Sequence, residues 1–127
     1  MYGIIATWRM ALEGISKADS MLKNNESAAD SIEEAIKAVE DFEYYKSVGY
    51  GGLPNEEMEV ELDAAFMDGD TLEFGCVGGI KDFANPVSIA RSLMHYDANN
   101  FLIGQGAEKY ASRHGFERKT MLTDRAK

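Results

Sequence analysis

Met58-Glu59-Val60-Glu61-Leu62-Asp63-Ala64-Ala65-Phe66-Met67-Asp68-Gly69-Asp70-Thr71-Leu72-Glu73-Phe74-Gly75-Cys76 is the stretch that decides the fold class. Met58, Val60, Leu62, Ala64 and Phe66 alternate with Glu59, Glu61 and Asp63, the two-residue period of a strand. Asp68-Gly69-Asp70 signals a turn, and Leu72, Phe74 and Cys76 resume the alternation. The stretch predicts a β-hairpin. Glu59, Glu61 and Asp63 then share one strand face. Neighbouring carboxylates can form an acid–base couple or hold a hard cation. Side-chain alternation explains their spacing equally well, and we read them as an exposed polar face.

Away from the hairpin the period changes. Upstream, Ala11, Leu12, Ile15, Ala18 and Leu22 recur at helical steps until Asn24-Asn25. A second helix opens at Ser27, a good N-cap, with Asp30 three residues on as a variant capping box. Ala28, Ile32, Ala35, Ile36, Val39 and Phe42 form its apolar stripe. Glu33, Glu34, Lys37 and Glu40 are expected on its solvated side. Tyr2 to Thr7 reads as a short buried strand. Downstream, Asn85 should cap a helix with Pro86 at its first position. Phe101 to Ile103 reads as a strand, and Gly104 to Arg113 as a helix ended by Gly115. From about Lys119 the chain reads as a polar tail. Residues 1–127 form one domain of mixed α/β class.

Between the second helix and the hairpin lies Ser47-Val48-Gly49-Tyr50-Gly51-Gly52-Leu53-Pro54. So many glycines exceed what a simple connection needs. Clustered glycine lets backbone approach a ligand or another chain closely, and Ser47 offers a hydrogen-bonding hydroxyl.

Composition narrows the functions. The net charge is −9, from 22 acidic and 13 basic residues. Such a surface repels phosphates, so nucleic acid is not an expected partner. No apolar stretch approaches the roughly 20 residues that span a bilayer. Met1 to Ala6 is too short for a signal peptide, so the expectation is a cytoplasmic protein without membrane contact. The single cysteine, Cys76, reads as a small buried hydrophobe. His95 and His114 have no second ligand at zinc spacing, and no metal or cofactor is expected. Gly104-Gln105-Gly106-Ala107 lacks the third glycine of a dinucleotide fingerprint and reads as a tight turn into a helix. No serine, cysteine or lysine has a visible base partner. The residues alone describe an acidic α/β domain with one functional-looking loop.

Ser47-Val48-Gly49-Tyr50-Gly51-Gly52, followed by Leu62-Asp63-Ala64-Ala65-Phe66-Met67-Asp68-Gly69, resembles the signature of the glycosylasparaginase family. The resemblance extends to Thr7-Trp8, Ala35-Ile36-Lys37-Ala38-Val39-Glu40, Gly75-Cys76-Val77, Asn85-Pro86-Val87-Ser88-Ile89-Ala90-Arg91 and Ile103-Gly104-Gln105-Gly106-Ala107. Isoaspartyl peptidases and plant-type asparaginases resemble the chain at Val60-Glu61-Leu62-Asp63-Ala64. They usually carry a Phe-Asn-Ala-Gly type loop where this chain has Ser47-Val48-Gly49-Tyr50, which favours the glycosylasparaginase branch.

The resemblance implies a four-layer αββα sandwich of the N-terminal-nucleophile hydrolase type, with this chain as its N-terminal half, the α subunit. It implies a precursor that cuts itself to expose a threonine at the start of a β subunit, in an (αβ)2 assembly. That threonine would attack the side-chain amide of a small asparagine-linked substrate, with its own α-amine as base. The family's His-Asp-Thr-like motif does not occur here, and Thr120 and Thr123 lack its neighbours. No catalytic residue is therefore expected on this chain. Trp8 matches a tryptophan that walls the substrate pocket, although Met10 stands where the family often places an aromatic. Ser47, with Gly49, Gly51 and Gly52, would support the nucleophile's surroundings, and Asp63 matches a structural position. Two alternatives stand beside this reading: an isoaspartyl dipeptidase or L-asparaginase of the same family, and a non-catalytic half-fold or binding module. A half-sandwich should leave one apolar sheet face bare, so the chain expressed alone should aggregate or fold poorly.

Overall fold

The computed structural model describes all residues from Met1 to Lys127. The hairpin is present: β1 (Glu61–Met67) pairs antiparallel with β2 (Phe74–Lys81). At its turn the Asp68 carboxylate accepts from the backbone N–H groups of Asp70 at 2.8 Å and Thr71 at 3.1 Å. Between Leu62 and Ala64 the register slips, because β2 takes one residue more from Ile80 to Val77. Gly79 in this bulge has φ +57°, which glycine adopts without strain. Its N–H donates to Asp63 Oδ1 at 2.8 Å, so Asp63 satisfies a backbone group that the bulge takes off the ladder.

From β2 the chain crosses through α3 (Pro86–Leu93) to β3 (Phe101–Ile103), which lies parallel to β2. The three-stranded sheet has the order β1-β2-β3. Next comes α4 (Gly104–Arg113), and Gly115 with φ +84° follows its end. Both α3 and α4 pack on one sheet face. Leu62, Phe66, Val77 and Ile80 meet Val87, Ala90, Leu93, Ala107, Tyr110 and Ala111 in one core cluster. Burying one large aliphatic or aromatic side chain is worth about 1.5–3 kcal/mol. Gly75 sets the spacing, since a Cβ there would overlap the Ala90 carbonyl.

Two helices precede the sheet, α1 (Leu12–Lys23) and α2 (Ala28–Glu40), with a single 3-10 turn at Arg9–Ala11 before them. Ser27 caps α2 as expected, accepting from the Asp30 N–H at 3.0 Å, while the Asp30 carboxylate accepts from the Ser27 hydroxyl at 2.6 Å. The two helices meet through Gly14 and Ala18, both buried. A Cβ on Gly14 would overlap the Ala35 carbonyl. Leu12, expected on the apolar stripe, is exposed instead. No helix is long and apolar enough to cross a membrane.

Four expectations need correction. Tyr2 to Thr7 forms no strand, and Ile5 is 94% exposed. A strand needs a neighbouring ladder, and no other strand lies beside this segment. Cys76 is half-buried rather than enclosed, because it pairs with Ala65 on the face opposite the core. Asn85 makes no capping hydrogen bond to α3. The tail is built into the fold: Met121 is fully buried, the Lys119 N–H donates to the Asp82 carbonyl at 2.9 Å, and Phe83 bridges to Arg118.

The outer sheet face has no layer over it. Met67, Phe74, Phe101 and Ile103 stand there 59%, 44%, 56% and 67% exposed. Their side is set by the register and by Gly78, which lies against Ile103, Phe101 and Asp63.

Candidate functional site

The Ser47–Pro54 loop starts beyond the end of α2 and folds back onto it. Gly49 and Gly51 have φ of +61° and +77°. A Cβ on Gly49 would overlap the Glu40 backbone, and one on Gly51 the Glu43 carbonyl. The glycines therefore admit the chain's own backbone, where the sequence suggested a ligand or another chain. Four hydrogen bonds hold the loop. The Tyr50 N–H donates to the Glu40 carbonyl at 2.7 Å, and the Gly51 N–H to the Met121 carbonyl at 2.9 Å. The Gly52 N–H donates to the Gly49 carbonyl at 3.1 Å, and the Leu53 N–H to the Lys46 carbonyl at 2.9 Å. The tail adds a clamp: the Arg125 guanidinium donates to the Gly51 carbonyl at 2.9 Å and to the Glu43 carbonyl. Lys119 Nζ lies 3.9 Å from the centre of the Tyr50 ring, a cation–π distance.

Ser47, Val48 and Gly49 form one wall of a cavity of about 350 Å³. Glu40, Asp63, Pro86 and Val87 contribute to the rest. Trp8 lies in an adjoining apolar groove of about 360 Å³, between the N-terminal segment and α2. The two hollows share Ile36, Val39 and Val48 as a partition. Trp8 itself is 70% exposed. The structure thus sets Trp8 and the Ser47 loop on either side of one apolar wall, with neither hollow closed.

Glu40 escaped the sequence reading, which put it on a solvated helix side. It is buried at the end of α2. Its carboxylate accepts from the Val87 N–H at 3.3 Å, in the first turn of α3, and from Asn85 Nδ2 at 3.3 Å. Asn85 also donates to Asp41 Oδ1 at 3.0 Å. A distant carboxylate thus stands at the start of α3 where the local asparagine was expected, favoured by the unpaired N–H groups and the dipole there. Burial pushes the Glu40 carboxyl up to about 7, against the hydrogen bonds from Asn85 and Val87, which favour its charged form. A usable signal was the seven-residue step from Glu33 to Glu40, which puts both on one helix face. That face meets α3: Glu33 holds Arg91 and the Ser88 hydroxyl, and Asp30 holds Arg91 at 2.7 Å.

The remaining candidates have partners nearby. Glu59 and Glu61 pair with Lys81 at 2.5 and 3.6 Å. His114 Nδ1 sits 2.9 Å from the Tyr110 carbonyl. His95 lies 3.7 Å from Glu73. No three His, Cys, Asp or Glu side chains converge as a metal site.

Sheet, helical cover and glycine-rich loop together define a mixed α/β domain with one bare sheet face and a cavity lined by both apolar and polar residues. Residues 5–127 match the family described as asparaginase. The chain belongs to the asparaginase family. It is 34% identical over 120 residues to an N(4)-(beta-N-acetylglucosaminyl)-L-asparaginase of Elizabethkingia miricola, covering 94% of this chain and 35% of that protein. It is 37% identical to an isoaspartyl peptidase/L-asparaginase of Rattus norvegicus, covering 91% and 36%. With a plant-type L-asparaginase of Thermococcus kodakarensis identity is 38%, covering 95% and 35%. The chain spans about a third of the length of these curated relatives.

Proposed function

We infer that this chain is the N-terminal part of an amidohydrolase that cleaves the side-chain amide of asparagine in glycosylasparagine-type substrates and releases aspartate. The observation that carries this reading is family membership over nearly the whole chain, paired with coverage of only about a third of each relative. The bare sheet face supports it. Met67, Phe74, Phe101 and Ile103 form the kind of apolar surface that a second sheet covers in a layered sandwich.

The nucleophile in this reading is a threonine outside residues 1–127, freed at a new N-terminus when a precursor cuts itself. The threonine hydroxyl attacks the amide carbonyl, its α-amine takes the proton, and hydrogen-bond donors stabilise the oxyanion. Water then hydrolyses the acyl-enzyme. This chain contributes positioning. Trp8 walls the pocket and excludes water from the reacting amide. The Ser47 hydroxyl and the backbone at Gly49, Gly51 and Gly52 support the nucleophile's surroundings. Two such αβ units form the assembly.

Aspartate release from N4-(β-N-acetylglucosaminyl)-L-asparagine, from a β-aspartyl dipeptide and from free asparagine tests this, using the protein as its own gene produces it. Faster turnover of the glycosylated substrate is expected. Faster turnover of the dipeptide or free asparagine moves the protein to the other branch, and no aspartate from any of them overturns the reading. Trp8→Ala should lower kcat/KM about tenfold to a hundredfold.

A further inference from the structure

Glu40 ties three separated parts of the chain together. Its carbonyl receives the Tyr50 N–H from the glycine-rich loop, its carboxylate receives the Val87 N–H and the Asn85 amide at the start of α3, and its own backbone ends α2. Gly49 packs against it so closely that no side chain fits there. Glu40 also lines the same cavity as Ser47, Val48 and Gly49. Opening the loop therefore disturbs the same residue that anchors α3.

We propose that Glu40 is a positioning residue for the Ser47–Gly52 loop, and that the charge on its buried carboxylate sets how readily the loop and the start of α3 open together. The loop's place beside a reacting amide rests on the functional reading above; the tie through Glu40 does not.

The surroundings decide the direction. On its own helix Glu33 and Asp41 carry like charge, and Lys37 is engaged by Glu34. On α3 the cation Arg91 is taken by Asp30 and Glu33. Across the cavity β1 brings Glu61 and Asp63. From the tail, Lys119 lies on the Tyr50 ring and Arg125 on the Glu43 and Gly51 carbonyls. No cation contacts the Glu40 carboxylate, so its charged form is costly when enclosed and relieved when the segment opens to water. The folded group binds its proton more tightly than the opened one. The closed state is therefore favoured below the ordinary carboxylate range, and its advantage is lost as pH rises through about 7.

Hydrogen–deuterium exchange across pH 5 to 8 on the protein as its gene produces it tests this, after correction for the intrinsic pH dependence of exchange. Protection of residues 41–52 and of Val87 should fall by about tenfold or more over this range, while α4, which does not touch Glu40, stays flat. In Glu40→Gln the fall should vanish, because Gln keeps an acceptor for the Val87 N–H and carries no charge. If that variant does not fold, the wild-type series still decides, with α4 as its internal control. A flat wild-type loop, equal change in α4, or the same fall in Glu40→Gln overturns the proposal. None of these outcomes depends on which amide the protein cleaves.

Discussion

The two faces of the sheet are built from similar residues and meet different fates. The inner face carries Leu62, Phe66, Val77 and Ile80, all buried beneath α3 and α4. The outer face carries Met67, Phe74, Phe101 and Ile103, all exposed. An apolar face this continuous is costly in water and prone to association. The contrast teaches that hydrophobicity marks a surface for burial without saying what buries it. The inner face finds its cover in α3 and α4, later in the same chain; the outer face finds none within residues 1–127.

The largest expected effects come from truncating both faces in the protein as its gene produces it. If the outer face is covered there, Phe101→Ala should cost about 3–5 kcal/mol of unfolding free energy. Were the face bare in that state, the cost would fall to about 0.5 kcal/mol, as at ordinary surface positions. Leu93→Ala, on the inner side, should cost about 2–5 kcal/mol either way. Urea unfolding of the two variants side by side separates the cases. Ser27→Ala removes the α2 cap and should cost about 1 kcal/mol, a small reference that neither face influences.

The same contrast explains what the sequence made legible. Local signals were readable where a local cause produced the structure. The hairpin followed from alternation and the Asp68 turn, the start of α2 from Ser27, the start of α3 from Pro86, and the end of α4 from Gly115. The loop's tight backbone was visible in its glycines. Their purpose was not, because Gly49 and Gly51 answer to Glu40 and Glu43, which only the folded chain brings close. Failures fell where the partner is remote. Alternation placed Phe74 and Cys76 with the core residues, yet the bulge at Gly79 and pairing with Met67 and Ala65 put them outside. Glu40 looked like one more charge on a helix until α3 arrived to use it. The tail looked merely polar, although Met121 enters the core and Arg125 clamps the loop. Tyr2 to Thr7 has strand-like residues and no strand beside it.

The central claim is that the outer face belongs inside a larger fold. Thiol labelling of Ile103→Cys in a Cys76→Ser background, on the protein as its gene produces it, tests that most directly. The control is Ser112→Cys on the exposed side of α4. The account predicts that the thiol at position 103 reacts with a bulky maleimide at least about a hundredfold more slowly than the control, and that unfolding in urea equalises the two. Equal native rates would show that position 103 stays as open as it is here, and would contradict the account.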